Sequence, residues 1–89
     1  MTDPDAIGER TQVLERAAKD RGYLVSGDGF VSEACTAELI GVEVSTLRGW
    51  RYGARPIPFR RLGGARGRVW YSLHALARFL IECEASEDR

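Results

Sequence analysis

The sequence is short of the residues from which catalytic and metal sites are usually built: its 89 residues hold one histidine, two cysteines, one methionine and three prolines. Cys35 and Cys83 form no CxxC pair and have no histidine-rich neighbourhood, which speaks against a zinc site and against a secreted disulfide scaffold. Both are expected to be free thiols. His74 stands alone, so a Ser-His-Asp or Cys-His arrangement would need distant partners that no motif supplies. No catalysis, metal or cofactor is therefore expected. No apolar run approaches the ~18 residues of a membrane span or the core of a signal peptide, and the chain reads as cytoplasmic with no membrane partner. A chain of this length buries about 60–65% of its surface on folding, enough for one small core but not for a deep substrate pocket with a catalytic shell. A multi-domain enzyme is excluded. Lysine is nearly missing too, since Lys19 is the only one among 13 basic residues.

The most informative absence is acidic. Thirteen bases balance thirteen acids overall, yet from Val44 to Ile81 there is no carboxylate beside eight arginines, a net +8. Met1 to Glu43 carries nine acids and four bases, a net −5, and Glu82 to Arg89 is again acidic at −3. A basic block of this kind is the electrostatic footprint of a polyanion, nucleic acid above all. The alternative is a solvated arginine face that neutralises the acidic flanks within the molecule.

Local signals divide the chain into an acidic N-terminal helical arm (1–30), a central domain (31–81) and an acidic C-terminal tail (82–89). Asp3-Pro4 is an N-cap followed by proline at the first helical position, and Gly22 closes that helix. Ile7, Val13, Leu14, Ala17 and Ala18 give it a thin apolar stripe, suited to a helix that leans on the domain. Tyr23-Leu24-Val25 and Phe30-Val31 read as short extended pieces around the turn Ser26-Gly27-Asp28-Gly29. Ser32 caps a second helix running to about Ile40.

Gly41 then serves as a pivot. A tight turn between two short, steeply crossed helices needs a residue that accepts positive φ, followed by an apolar residue, here Val42, that plugs the angle. This is a helix-turn-helix pattern. On its second helix Leu47 and Trp50 face inward, leaving Ser45, Thr46, Arg48, Gly49, Arg51 and Tyr52 outside. Arginine offers a planar fork that matches guanine O6/N7 or a phosphate, and hydroxyls reach phosphate oxygens. Pro56-Ile57-Pro58 forbids continuation of the helix. Phe59 to Leu62 and Arg68 to Tyr71, joined by Gly63-Gly64-Ala65-Arg66-Gly67, read as a β-hairpin wing with arginines on both arms. Strand alternation sends only one of Arg60 and Arg61 toward the DNA side. Ser72 caps a last helix with Leu73, Leu76, Phe79 and Leu80 along one side, after which the acidic tail is expected to fray outward. The fold class is mainly α with a small β-hairpin: a winged helix-turn-helix with an extra N-terminal helix. Its core is expected to include Leu39, Val42, Leu47, Trp50, Leu76 and Phe79; Trp70 is the least secure of the aromatic core candidates.

The segments AELIGV (37–42), STLRGW (45–50), GARPIPF (53–59), RVWY (68–71) and ALARFL (75–80) lie in the order and spacing of a known group. Over about Val31 to Ile81 the chain resembles the small winged-helix DNA-binding proteins of the excisionase and AlpA type within the MerR-like superfamily. It departs from their pattern at Cys35 and Thr36, at Glu43 where a serine usually caps the recognition helix, and at Ala75 and Phe79. The resemblance implies a bacterial or phage, nucleoid-associated protein acting without catalysis. Such a protein binds adjacent sites on double-stranded DNA cooperatively, associates with itself along it, bends it, and directs an integrase toward excision of a mobile element. An AlpA-like transcriptional regulator on the same fold is an alternative, and a module that binds an acidic protein instead of DNA is another.

The candidate DNA contacts are Ser45, Thr46, Arg48, Arg51 and Tyr52 on the recognition helix, Arg55 after it, and Arg60, Arg61, Arg66 and Arg68 on the wing.

Overall fold

Asp3 starts the first helix, α1 (Pro4–Asp20), by accepting the Asp5 amide on its carboxylate at 3.0 Å. This leaves Pro4 at a position where a missing N–H costs nothing. The helix ends as the Arg21 amide turns back to Ala17 and Ala18 and Gly22 takes φ +83°. The computed structural model describes residues 3–53, 57–64 and 67–87. After α1 come β1 (Phe30–Ser32), α2 (Glu33–Ile40), α3 (Val44–Trp50), β2 (Phe59–Leu62), β3 (Arg68–Ser72) and α4 (Leu73–Glu87). The molecule is thus mainly helical with one small antiparallel sheet, and no helix among the described residues is long and apolar enough to cross a membrane.

Each cap anticipated from sequence forms. Ser32 Oγ accepts the Cys35 amide at 3.1 Å and Ser72 Oγ the Ala75 amide at 3.1 Å. Gly41 takes φ +76°, and the Val42 amide reaches back to the Ala37 carbonyl at 3.0 Å. These bonds satisfy backbone groups that helix ends leave open and set the sharp passage from α2 into α3. Glu43 precedes α3 without a side-chain cap bond.

The sheet differs from the expected two-stranded hairpin. Its order is β1-β3-β2, with Val31 opposite Tyr71 and Arg61 opposite Val69. Tyr23 to Val25 forms no strand, and β1 turns instead to β3. Ser26 closes a local turn on Phe30, its amide meeting the Phe30 carbonyl and its hydroxyl accepting the Phe30 amide, both at 2.9 Å. The chain beyond is then free to add to the open side of β3. A third strand pairs backbone groups that a hairpin alone leaves open on β3.

Val31, Val69 and Tyr71 line the inner face of the sheet and meet Leu73, Leu76 and Ala77 of α4, Cys35 and Ala37 of α2, Leu47 of α3, and Ile57. Leu39, Val42, Trp50 and Phe79 pack against this cluster half-buried, with the Trp50 and Phe79 rings tilted at 5.9 Å. Trp70 lies half-buried on the opposite face of the sheet, with Arg60 across from it.

The N-terminal helix is part of the core. Ile7, Leu14 and Ala18 are buried, and α1 packs chiefly along α4. Val13, expected in the same stripe, is 61% exposed. One residue's rotation, about 100°, turns it off the line through Ile7, Leu14 and Ala18. The tail departs from expectation as well, because α4 continues as far as Glu87. The fork of Arg10 grips Glu84 at 2.8 and 3.0 Å, tying that helix back to α1.

Burial pushes the Cys35 thiol up to about 11, whereas Cys83 is half-buried. Thiolate is the reactive species, so Cys35 is protected by protonation as well as by packing. With Ellman's reagent at pH 8 the native protein is expected to release one equivalent per chain promptly and the second only on unfolding. Two equivalents released at a single rate would contradict the buried placement of Cys35.

Candidate nucleic-acid interface

Between the start of α2, the outer side of α3 and the hairpin lies an open cleft of about 440 Å³. Arg48 enters it from α3, Arg51 from just beyond the end of that helix, Arg61 from β2 and Arg68 from β3, with Gly67 at the hairpin side. The hairpin closes tightly here. A Cβ on Gly67 would stand 1.8 Å from the Leu62 carbonyl oxygen, so only glycine fits that crossing. Gly63 and Gly64 take φ +94° and +84° on the other side of the turn.

Helical phase sorts α3. Leu47 is buried, while Ser45, Thr46 and Arg48 are exposed, as is Tyr52 just beyond the helix. Arg51 breaks the expected pattern, which had it on the outer side. Its side chain is 8% exposed against 63% for Arg48. Arg51 turns inward to form an ion pair with Glu33, and its guanidinium stands 5.6 Å from the Phe59 ring centroid. The Tyr71 hydroxyl donates to the same carboxylate at 3.3 Å, and burial raises the pKa of that hydroxyl above the ordinary tyrosine value. Arg48 Nε donates to the other oxygen of Glu33 at 3.3 Å. Arg51 Nε is buried without a partner among the described residues.

Strand alternation sorts the arginines of the β2–β3 hairpin. Arg61, paired across from Val69, lies on the cleft side, and Arg60 lies on the other face across from Trp70. There Arg60 forks onto Asp28 at 2.8 and 3.1 Å and lies over the Phe30 ring at 3.7 Å. The Arg60 fork, helped by the Ser26 hydroxyl, holds the Asp28 carboxyl down to about 2. Arg60 is thus an expected DNA contact that the fold engages elsewhere. Arg68 is exposed at the start of β3 and lines the cleft. Arg55 and Arg66 lie outside the described residues.

The acid-free stretch is therefore less basic in space than in sequence. Asp28 and Glu33 return from the N-terminal segment to occupy Arg60 and Arg51, and Glu82 sits 3.6 Å from Arg78. What remains turned to solvent around the cleft is Arg48, Arg61 and Arg68. Glu33 escaped the sequence reading altogether. It looked like one of nine acids in an acidic segment, and no local spacing marks it as a partner of residues 15 and 18 positions further along. His74 is exposed at the start of α4, away from this cleft. Comparison with protein-family models, with curated proteins and with solved structures found no match to the chain.

Proposed function

We propose that the protein binds double-stranded DNA as a winged helix-turn-helix, with α3 as the recognition helix and the β2–β3 hairpin as the wing. The observation that carries this reading is the convergence of Arg48, Arg61 and Arg68, from three separate elements, on one open cleft, with Ser45 and Thr46 exposed on the same helix as Arg48. Phosphates need such a set. Charge on two projecting elements positions the protein on the backbone, while a short helix presents side chains to base edges. The resemblance to excisionases supports a further role: cooperative binding to adjacent sites that bends the DNA and directs an integrase toward excision of a mobile element.

Binding to duplexes of graded length, from one site to several, at a series of salt concentrations tests both parts. Two phosphate-neutralising arginines, Arg61 and Arg68, predict a slope of log K against log salt of about −2, steeper if Arg55 and Arg66 join them. Cooperative, length-dependent binding is expected of an excisionase-like array. Tight one-site binding indifferent to length would instead favour an AlpA-like regulator. A flat salt response, or no binding at low salt, would overturn the DNA reading in favour of a module that binds an acidic protein.

A further inference from the structure

Glu33 is the one carboxylate among the described residues that line the cleft, and it is held there rather than solvated, at 13% exposure. It meets three donors at once. Arg51 and the Tyr71 hydroxyl share Oε2, and Arg48 Nε points at Oε1 from 3.3 Å. The two arginines are used differently. Arg51 is sunk against Glu33 and Phe59, so it anchors the carboxylate to the body of the protein. Arg48 stays 63% exposed and gives Glu33 only its Nε.

A guanidinium has five N–H donors in a rigid plane, and a carboxylate that takes the Nε edge leaves the two-pronged Nη edge pointing the other way. That remaining edge matches the O6/N7 pair of guanine in the major groove, whereas a phosphate asks for charge more than for orientation. An unbuttressed arginine on an exposed short helix must lose several rotamers to adopt one reading pose. One already fixed at Nε has lost part of that freedom before DNA arrives.

We propose that Glu33 is a specificity-determining positioning residue: anchored by Arg51 and Tyr71, it orients Arg48 so that the Nη edge of Arg48 reads a guanine, while Arg61 and Arg68 supply charge to the backbone. This rests on the DNA-binding reading. Arg51 makes no base contact in this arrangement, and its effect on DNA runs through Glu33.

Selection of preferred sites from a randomised duplex pool, followed by binding to the selected site and to scrambled duplexes, tests it. The wild-type protein is expected to demand guanine at one position, and Arg48→Lys to lose that demand while still binding. Glu33→Gln is expected to reduce the preference for guanine at that same position about tenfold and to leave affinity for scrambled duplexes equal or higher, because a negative charge has left the cleft. A variant carrying Glu33→Gln with Arg51→Met, checked by circular dichroism for native helicity, gives the same readout without a stranded buried cation. Equal loss on every sequence, or an unchanged guanine preference in a folded Glu33 variant, overturns the positioning role while the DNA-binding reading stands. Absence of binding to any duplex by the wild-type protein overturns both.

Discussion

Glu33→Ala is expected to lower folding stability by about 3 kcal/mol, because it strands the inward-turned guanidinium of Arg51 with no anion and removes the acceptor of the Tyr71 hydroxyl. The loss comes less from the attraction forfeited than from desolvation left uncompensated. Among the described residues Arg51 already has one buried nitrogen without a partner, so little local hydrogen bonding is in reserve there. Replacing both partners by apolar residues, as in Glu33→Leu with Arg51→Met, is expected to recover most of the stability, since a buried pair exchanged for well-packed side chains is often neutral. Urea denaturation of the two variants measures this. A loss below 1 kcal/mol for Glu33→Ala would mean that Arg51 swings into the open cleft and regains water. The pair would then behave as a surface ion pair, of the class worth about 0–1 kcal/mol.

A chain beginning after Gly22, without α1, is expected to lose cooperative unfolding. The deletion removes the burial of Ile7, Leu14 and Ala18 and uncovers the surface of α4 on which they pack. Burying a large aliphatic side chain contributes about 1.5–3 kcal/mol, and the uncovered partner surface loses a similar amount, giving a total of about 8 kcal/mol. Domains of this size have only about 5–15 kcal/mol in all. Thermal melts followed by circular dichroism decide the matter. A broad or absent transition makes the N-terminal helix an integral element of one domain, and a sharp transition within a few degrees of the full-length protein makes residues 23–89 a unit that folds without it.

Local chemistry made much of the backbone legible in advance. Asp3-Pro4, Ser32, Gly41 and Ser72 each act through bonds to residues within a few positions, so their roles do not depend on what the rest of the chain does. The hairpin pairing was equally readable, because its turn residues and alternation both lie within one short segment. The addition of β1 to β3 was not. Tyr23 to Val25 and Phe30-Val31 have similar strand preferences, and only the availability of an open β3 side near Gly29, whose carbonyl takes the Leu73 amide at 2.9 Å, separates them.

The amino-acid sequence by itself determined where α1, α2 and α4 start and where α1 and α2 stop, which residues turn inward at helical spacing on α3 and α4, and that positive charge gathers in the second half of the chain. Tertiary structure alone decided which of those charges remain available. Arg48 and Arg51 are three positions apart, in the last turn of one short helix and just beyond its end, and nothing in their order says that one arginine will be sunk on Glu33 and the other left at the surface. Coulomb attraction depends on distance in space and on the depth of burial, and folding brings an acid from the N-terminal half to 3.3 Å from an arginine fifteen residues away. Net charge along a sequence therefore located the candidate interface, and packing chose which arginines compose it.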